Sequence, residues 1–200
     1  MLGRLTNAFI GKDCGRILQL SAEIGHYIAD AHVPLHTSSN HNGQFTDQHG
    51  IHGFWESRIP ELLAPAGWDY FLGKAVYLQS PLSFTWERIL ESAAAVDSVL
   101  LFERKLSRSF RSDRKYAFEP RLGITTRQYS REYTIAYDRI LNYMAERRMR
   151  ASIFAVACFW YTAWVNAGQP ALAVCEVHRL KDEDKKMPDS LKIVAQGEHD

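Results

Sequence analysis

Six of the eight histidines fall between residues 26 and 52, and three of them share the run GHYIADAHVPLH, Gly25 to His36, with an aspartate. The apolar residues of that run recur at helical spacing, so imidazoles and a carboxylate ride on a helix that otherwise wants burial. Titratable groups are rarely buried unless something pairs with them. Any fold of this chain has to supply a partner for His26, Asp30 and His36.

The spacing of the polar residues says what that partner is. His26 and Asp30 are four apart, which places both on one helix face, close enough to grip one ion. Pro34 closes the helix, and His36 follows it directly. TSSNHNGQFTDQ, Thr37 to Gln48, is polar and turn-rich and reads as a loop. HGFWE then repeats the i, i+4 pairing with His52 and Glu56. Neutral imidazole with carboxylate suits zinc and other first-row divalent ions, and three protein ligands with one open position is the arrangement of catalytic zinc. The candidate metal ligands are therefore His26, Asp30, His36, His52 and Glu56. One such pair alone also occurs as a surface hydrogen bond. Two pairs joined by His36 within 31 residues argue for a metal. His32 lies two residues beyond Asp30 and points to another face. His41 and His49 read as loop residues, as supports behind the ligands, or as stand-ins for His52, which its pairing with Glu56 favours.

The remaining periodicity is helical, with no convincing alternating strand. It predicts helices over residues 2–11, 13–32, 49–63, 83–110 and 131–167, with RSDRKYAFEPRLGITTRQYS as a long connection. The expectation is an all-α, multi-helix bundle in one domain over residues 1–177, followed by a polar tail over 178–200. ASIFAVACFWYTAWVNAG, Ala151 to Gly168, has 18 residues without a charge and imitates a membrane span. Ser152, Tyr161, Thr162 and Asn166, and the helical pattern running into it, favour a buried core helix, so no stable membrane span is expected. Trp55, Trp160, Tyr161 and Trp164 read as core rather than as a stacking pocket. Asn40, Asn42, Gln44 and Thr46 read equally as substrate contacts or as turn formers. AERRMR, Ala145 to Arg150, reads as a solvated face or partners for acidic residues, with phosphate contact as the lesser alternative. A net charge of +1 gives no electrostatic reason to expect duplex DNA or an anionic membrane surface. The three cysteines are far apart with no CxxC pair, which argues against a disulfide framework and a cysteine zinc site. Cys14 and Cys158 read as small buried hydrophobes.

HYIADAHVPLH followed by HGFWE resembles the metal-binding core of the zinc-dependent phospholipase C and single-strand-specific nuclease superfamily, whose pattern is H-x3-D-x5-H, a variable gap, then H-x3-E or H-x3-D. The glutamate ending resembles the phospholipase branch, and PLH resembles the nuclease branch. The resemblance implies an α-helical fold with up to three zinc ions that cleaves phosphodiester bonds with zinc-activated water. By it, His36, His52 and Glu56 would hold one zinc. His26 and Asp30 would serve a neighbouring pair, with Asp30 bridging both ions as the catalytic carboxylate. The implied substrates are phospholipid or single-stranded nucleic acid, with no protein partner, and the implied location is secreted or periplasmic, although no signal peptide is visible in this chain. The family's remaining ligands come from its N-terminal half: the amino group and carbonyl of a terminal tryptophan, then histidines and aspartates. Before His26 this chain has no His or Trp, and its only Asp is Asp13. Its first helix also begins without a capping residue. The expectation is an N-terminally incomplete chain that completes one zinc site and has little phosphodiesterase activity. The alternative is a non-catalytic zinc-binding helical protein, or an inactive fragment of such an enzyme.

Overall fold

Helices form where the apolar spacing puts them. In the computed structural model, which describes residues 1–121 and 123–172, α1 spans Leu2–Ile10 and α2 spans Cys14–Asp30. Asp13 starts α2 by accepting a hydrogen bond from the Arg16 backbone N–H, a normal N-cap. Residues 17, 20, 24 and 28 form its buried stripe. A 3-10 turn, Pro34–Thr37, follows. After the loop come α3 (Ile51–Gly53), a π turn (Phe54–Arg58) and α4 (Ile59–Leu63), which run on without a break. A further 3-10 turn covers Ala64–Ala66. The longest helix, α5, spans Pro81–Ser109, and a short α6 spans Ser112–Lys115. The chain then forms β1 (Tyr116–Arg121) and β2 (Ile124–Tyr129), an antiparallel hairpin, before α7 (Arg131–Ile140) and α8 (Met144–Asn166).

Two departures from the sequence reading stand out. The connection after α5 holds a β-hairpin, so the protein is mostly helical rather than all-α. Its alternation is weak because Phe118 and Ile124 face solvent instead of a core, which is why the period-2 signal was faint. The helix expected over 131–167 breaks in two, because Asn142 and Tyr143 take left-handed conformations, with φ of 52° and 57°. Residues 173–200, which include Cys175, His178, His199 and the expected tail, lie outside the described residues.

Two apolar clusters hold the fold. One joins α1, α2 and α8 through Leu5, Phe9, Leu20, Ile24, Ala155, Cys158 and Phe159. The uncharged stretch of α8 is thus a core element, and no helix among the described residues is long and apolar enough to cross a membrane. The strand-like segment before α5 runs along α8, where Val76 N–H donates to Cys158 Sγ and Leu78 N–H donates to Thr162 Oγ1. Trp55 is core, whereas Trp160 and Tyr161 are partly exposed. Cys158 is a buried free thiol, as expected. Cys14 is not a buried hydrophobe: at the start of α2, ahead of the buried stripe, it is half-buried and disulfide-bonded. The second cluster stacks Phe54 against Tyr129 and Tyr137, with Tyr133 alongside, and joins the π turn to the hairpin and α7.

Asp138 on α7 is a flaw in this second region. It is buried, and its Oδ1 has no hydrogen-bond partner among the described residues. Burial, with the charge of Glu146 adding to it, pushes its carboxyl up to about 6. A carboxyl raised by folding favours the fold when protonated, and that contribution is lost as pH rises through about 6. Asp138→Asn, which cannot ionise, should therefore stabilise the protein by on the order of 2 kcal/mol at pH 8. The gain should shrink to within error near pH 4. Urea denaturation at the two pH values checks this, and an equal effect at both would reject it.

Candidate metal centre

The five motif residues line up in space from four elements, α2, the 3-10 turn, α3 and the π turn. α2 ends on Asp30, with His26 one turn earlier, so their side chains share a face, and His26 Nε2 lies 3.4 Å from Asp30 Oδ2. Val33 is extended ahead of Pro34, as a residue before proline should be. The 3-10 turn that follows buries Pro34 and Leu35 and leaves His36 facing outward. His36 Nε2 lies 3.7 Å from Asp30 Oδ1 and 2.9 Å from Glu56 Oε1. The other carboxylate oxygen of Glu56 lies 2.9 Å from His52 Nε2. The residues therefore form a chain in space, His26–Asp30–His36–Glu56–His52. Within it, donor atoms of His36, His52 and Glu56 all fall within 4.8 Å of one another, a grouping that could hold an ion.

The π turn matters here. π turns occur mostly as single insertions in α-helices and often at functional positions. This one carries Glu56, while its Phe54, Trp55 and Arg58 are buried. Arg58 anchors the turn: its Nε–H donates to the Tyr129 carbonyl, and its guanidinium pairs with Glu119 at 2.5 Å. The hairpin thus fixes the helix that carries two candidate ligands.

The electrostatics fit a cation. Burial alone would push the Glu56 carboxyl up. Hydrogen bonds and charge from His36 and His52 outweigh it and hold the group at about 2. Glu56 is therefore ionised and doubly engaged, with its side chain 28% exposed, against 19% for His52 and 61% for His26. One detail is less regular. His52 Nδ1 is buried without a hydrogen-bond partner among the described residues, although metal-bound imidazoles usually donate their second nitrogen to an outer acceptor. His32 does not join the group. It is buried behind α2 with Nδ1 2.7 Å from the Ile28 carbonyl, and burial lowers its pKa. His49 is no stand-in for His52. It lines a cavity of about 530 Å³ on the other side of the loop, together with Gln48, Arg104, Arg108, Lys115 and Tyr116.

The chain matches no family model, no curated protein and no solved structure.

The loop before His52 answers one open question of the sequence. Asn40 Oδ1 accepts from Phe45 N–H, and its amide donates to Thr46 Oγ1. Asn42 Oδ1 accepts from Gly50 N–H, and Gln44 bridges Asn42 N–H to the Ser39 carbonyl. Those side chains brace the loop. Gly43 completes it at φ +75°, where an added Cβ would stand 2.4 Å from the Gln48 carbonyl oxygen. Gln48 went unnoticed in the sequence. Its buried amide donates to the Leu100 carbonyl and to Glu103 Oε2 on α5, four residues ahead of His52. Arg148 is likewise a structural tie, donating to the His32 carbonyl and pairing with Glu91.

Proposed function

We propose that this chain is the metal-binding part of a zinc-dependent phosphodiester hydrolase of the phospholipase C and nuclease type, with a helical fold of that kind. The observation that supports the reading is the linkage of all five motif residues, drawn from α2, the 3-10 turn, α3 and the π turn, into one contiguous chain of imidazoles and carboxylates. His36, His52 and Glu56 are the residues that would hold zinc, and Asp30 links them to His26. Bound there, zinc supplies a Lewis acid and a water of lowered pKa. Glu56 orients both imidazoles. Asp30 lies between the His26 side and the His36–Glu56 side, where a bridging carboxylate would act. The substrate would be a phosphodiester, either phospholipid or single-stranded nucleic acid, and the protein would be secreted or periplasmic; those parts rest on the motif alone.

Only one three-ligand group occurs among the described residues. That observation favours a second reading, a zinc-binding helical protein without catalysis. Calorimetric zinc titration, run beside turnover of bis(p-nitrophenyl) phosphate, a short phospholipid and single-stranded DNA, separates the two. The expected result for this chain is one zinc with little or no turnover. Binding of several zinc ions with full turnover would reject the one-site reading, and absence of zinc binding would reject the metal centre. Turnover that appears once further ligands are fused upstream would decide for the hydrolase.

A further inference from the structure

We propose that His41 is a fourth protein ligand to the zinc held by His36, His52 and Glu56, an inference that rests on the zinc reading of that group. The first observation is placement. The rings of His41 and His52 have centroids 5.9 Å apart at 79°, and those of His36 and His52 are 4.7 Å apart at 84°. Two imidazoles that share one tetrahedral zinc through Nε2, with Zn–N near 2.0–2.1 Å, have centroids about 5 Å apart. The two separations bracket that value. His41 lies outside the group whose donors fall within 4.8 Å, and a rotation of its exposed side chain is what brings a nitrogen inward.

The second observation is that His41 has no polar partner among the described residues. It is exposed and makes no hydrogen bond or ion pair among the described residues; its contact is the edge of His52. The third is the loop. The neighbours on both sides, Asn40 and Asn42, spend their side chains on the loop's own backbone and hydroxyl groups. Those hydrogen bonds brace the segment without a metal, which limits the entropy lost when His41 engages. Three histidines and one carboxylate fill a tetrahedral sphere and leave no position for an activated water, so this inference goes with the non-catalytic reading of the site rather than with the hydrolase reading. The rival for the fourth position is Asp30, 3.7 Å from His36.

Zinc titration and cobalt(II) absorption on the full chain test the proposal with His41→Ala, His41→Gln and Asp30→Asn. Both His41 variants should bind zinc about 100-fold more weakly, at or beyond the loss seen when an outer support is removed. Their cobalt d–d bands should shift as a water replaces an imidazole, and in both measurements the His41 variants should change more than Asp30→Asn. Wild-type affinity and an unchanged cobalt spectrum in the His41 variants would overturn the proposal while leaving the zinc site standing. So would a loss confined to Asp30→Asn. If the wild-type chain binds no zinc, the metal centre itself fails, and this inference with it. Circular dichroism of the zinc-free variants separates lost ligation from lost folding.

Discussion

Glu56→Ala is expected to remove zinc binding almost completely while leaving the zinc-free protein about as stable as wild type. Glu56 touches both imidazoles, at 2.9 Å each. Without it, the two histidines lose the carboxylate they share, and Asp30, 3.7 Å from His36 alone, is the nearby carboxylate that remains. Loss of an outer support costs about 10- to 100-fold in metal affinity, so loss of the central anionic ligand should exceed about 100-fold. In the zinc-free state the same carboxylate is partly exposed and its pairs are short-range, which limits its contribution to about 1 kcal/mol. The two effects therefore separate in one experiment. Zinc at about 100 times its dissociation constant stabilises the wild type by about 2.7 kcal/mol. For a chain of this length that raises Tm by roughly 5–10 °C. The variant should show no zinc-dependent rise and a zinc-free Tm within about 3 °C of wild type. A zinc response that survives in Glu56→Ala would rule out the three-residue centre. A large drop in zinc-free Tm would recast Glu56 as a structural carboxylate.

The grouping of the candidate ligands was legible because it is written in local spacing. His26 with Asp30, and His52 with Glu56, obey the i, i+4 rule, and Pro34 marks the turn that aims His36. What the spacing could not show is the support. The π turn under Glu56 leaves no mark in a sequence, because the same residues suit an ordinary helix. Gln48 reads as one more polar loop residue until α5 is beside it. The hairpin stayed hidden because its apolar residues do not alternate toward a core, although Gly123 at φ 83° and the β-branched Ile124, Thr125 and Thr126 were available signals. The break between α7 and α8 had a weaker cue in Asn142, since asparagine tolerates the left-handed region better than most residues. One buried acid could have been found. Val99, Leu100, Glu103 and Leu106 fall on the buried face of α5, and a glutamate at a core position asks for partners.

Those partners make Glu103 the residue whose loss should cost the fold most. It is 2% exposed. Oε1 accepts from Tyr133 Oη–H at 2.7 Å and from Lys115 Nζ at 3.1 Å, and Oε2 accepts from the Gln48 amide at 2.6 Å. Lys115 is itself enclosed, over the rings of Tyr116, Tyr129 and Tyr133 at 5.4, 5.5 and 5.1 Å. Glu103→Ala removes the anion and leaves that ammonium largely desolvated, with Ser107 Oγ as its remaining hydrogen-bond acceptor. Breaking a buried pair on one side costs about 3–5 kcal/mol, because the abandoned charge stays behind. Glu103→Ala should lower the unfolding free energy measured in urea by that amount, whereas Glu103→Gln, which keeps an acceptor for Tyr133 and Lys115, should lower it less. The decisive comparison is the double variant Glu103→Ala/Lys115→Met. If the penalty is mainly the stranded ammonium, removing it should return a large part of the lost stability, so the two substitutions will not add. Strict additivity would mean instead that Glu103 acts through packing and its hold on Gln48. That hold gives the second readout. Gln48 anchors the loop that ends at His52, so Glu103→Ala should weaken zinc binding under conditions where the protein is still folded, linking a core acid to a metal centre it does not touch.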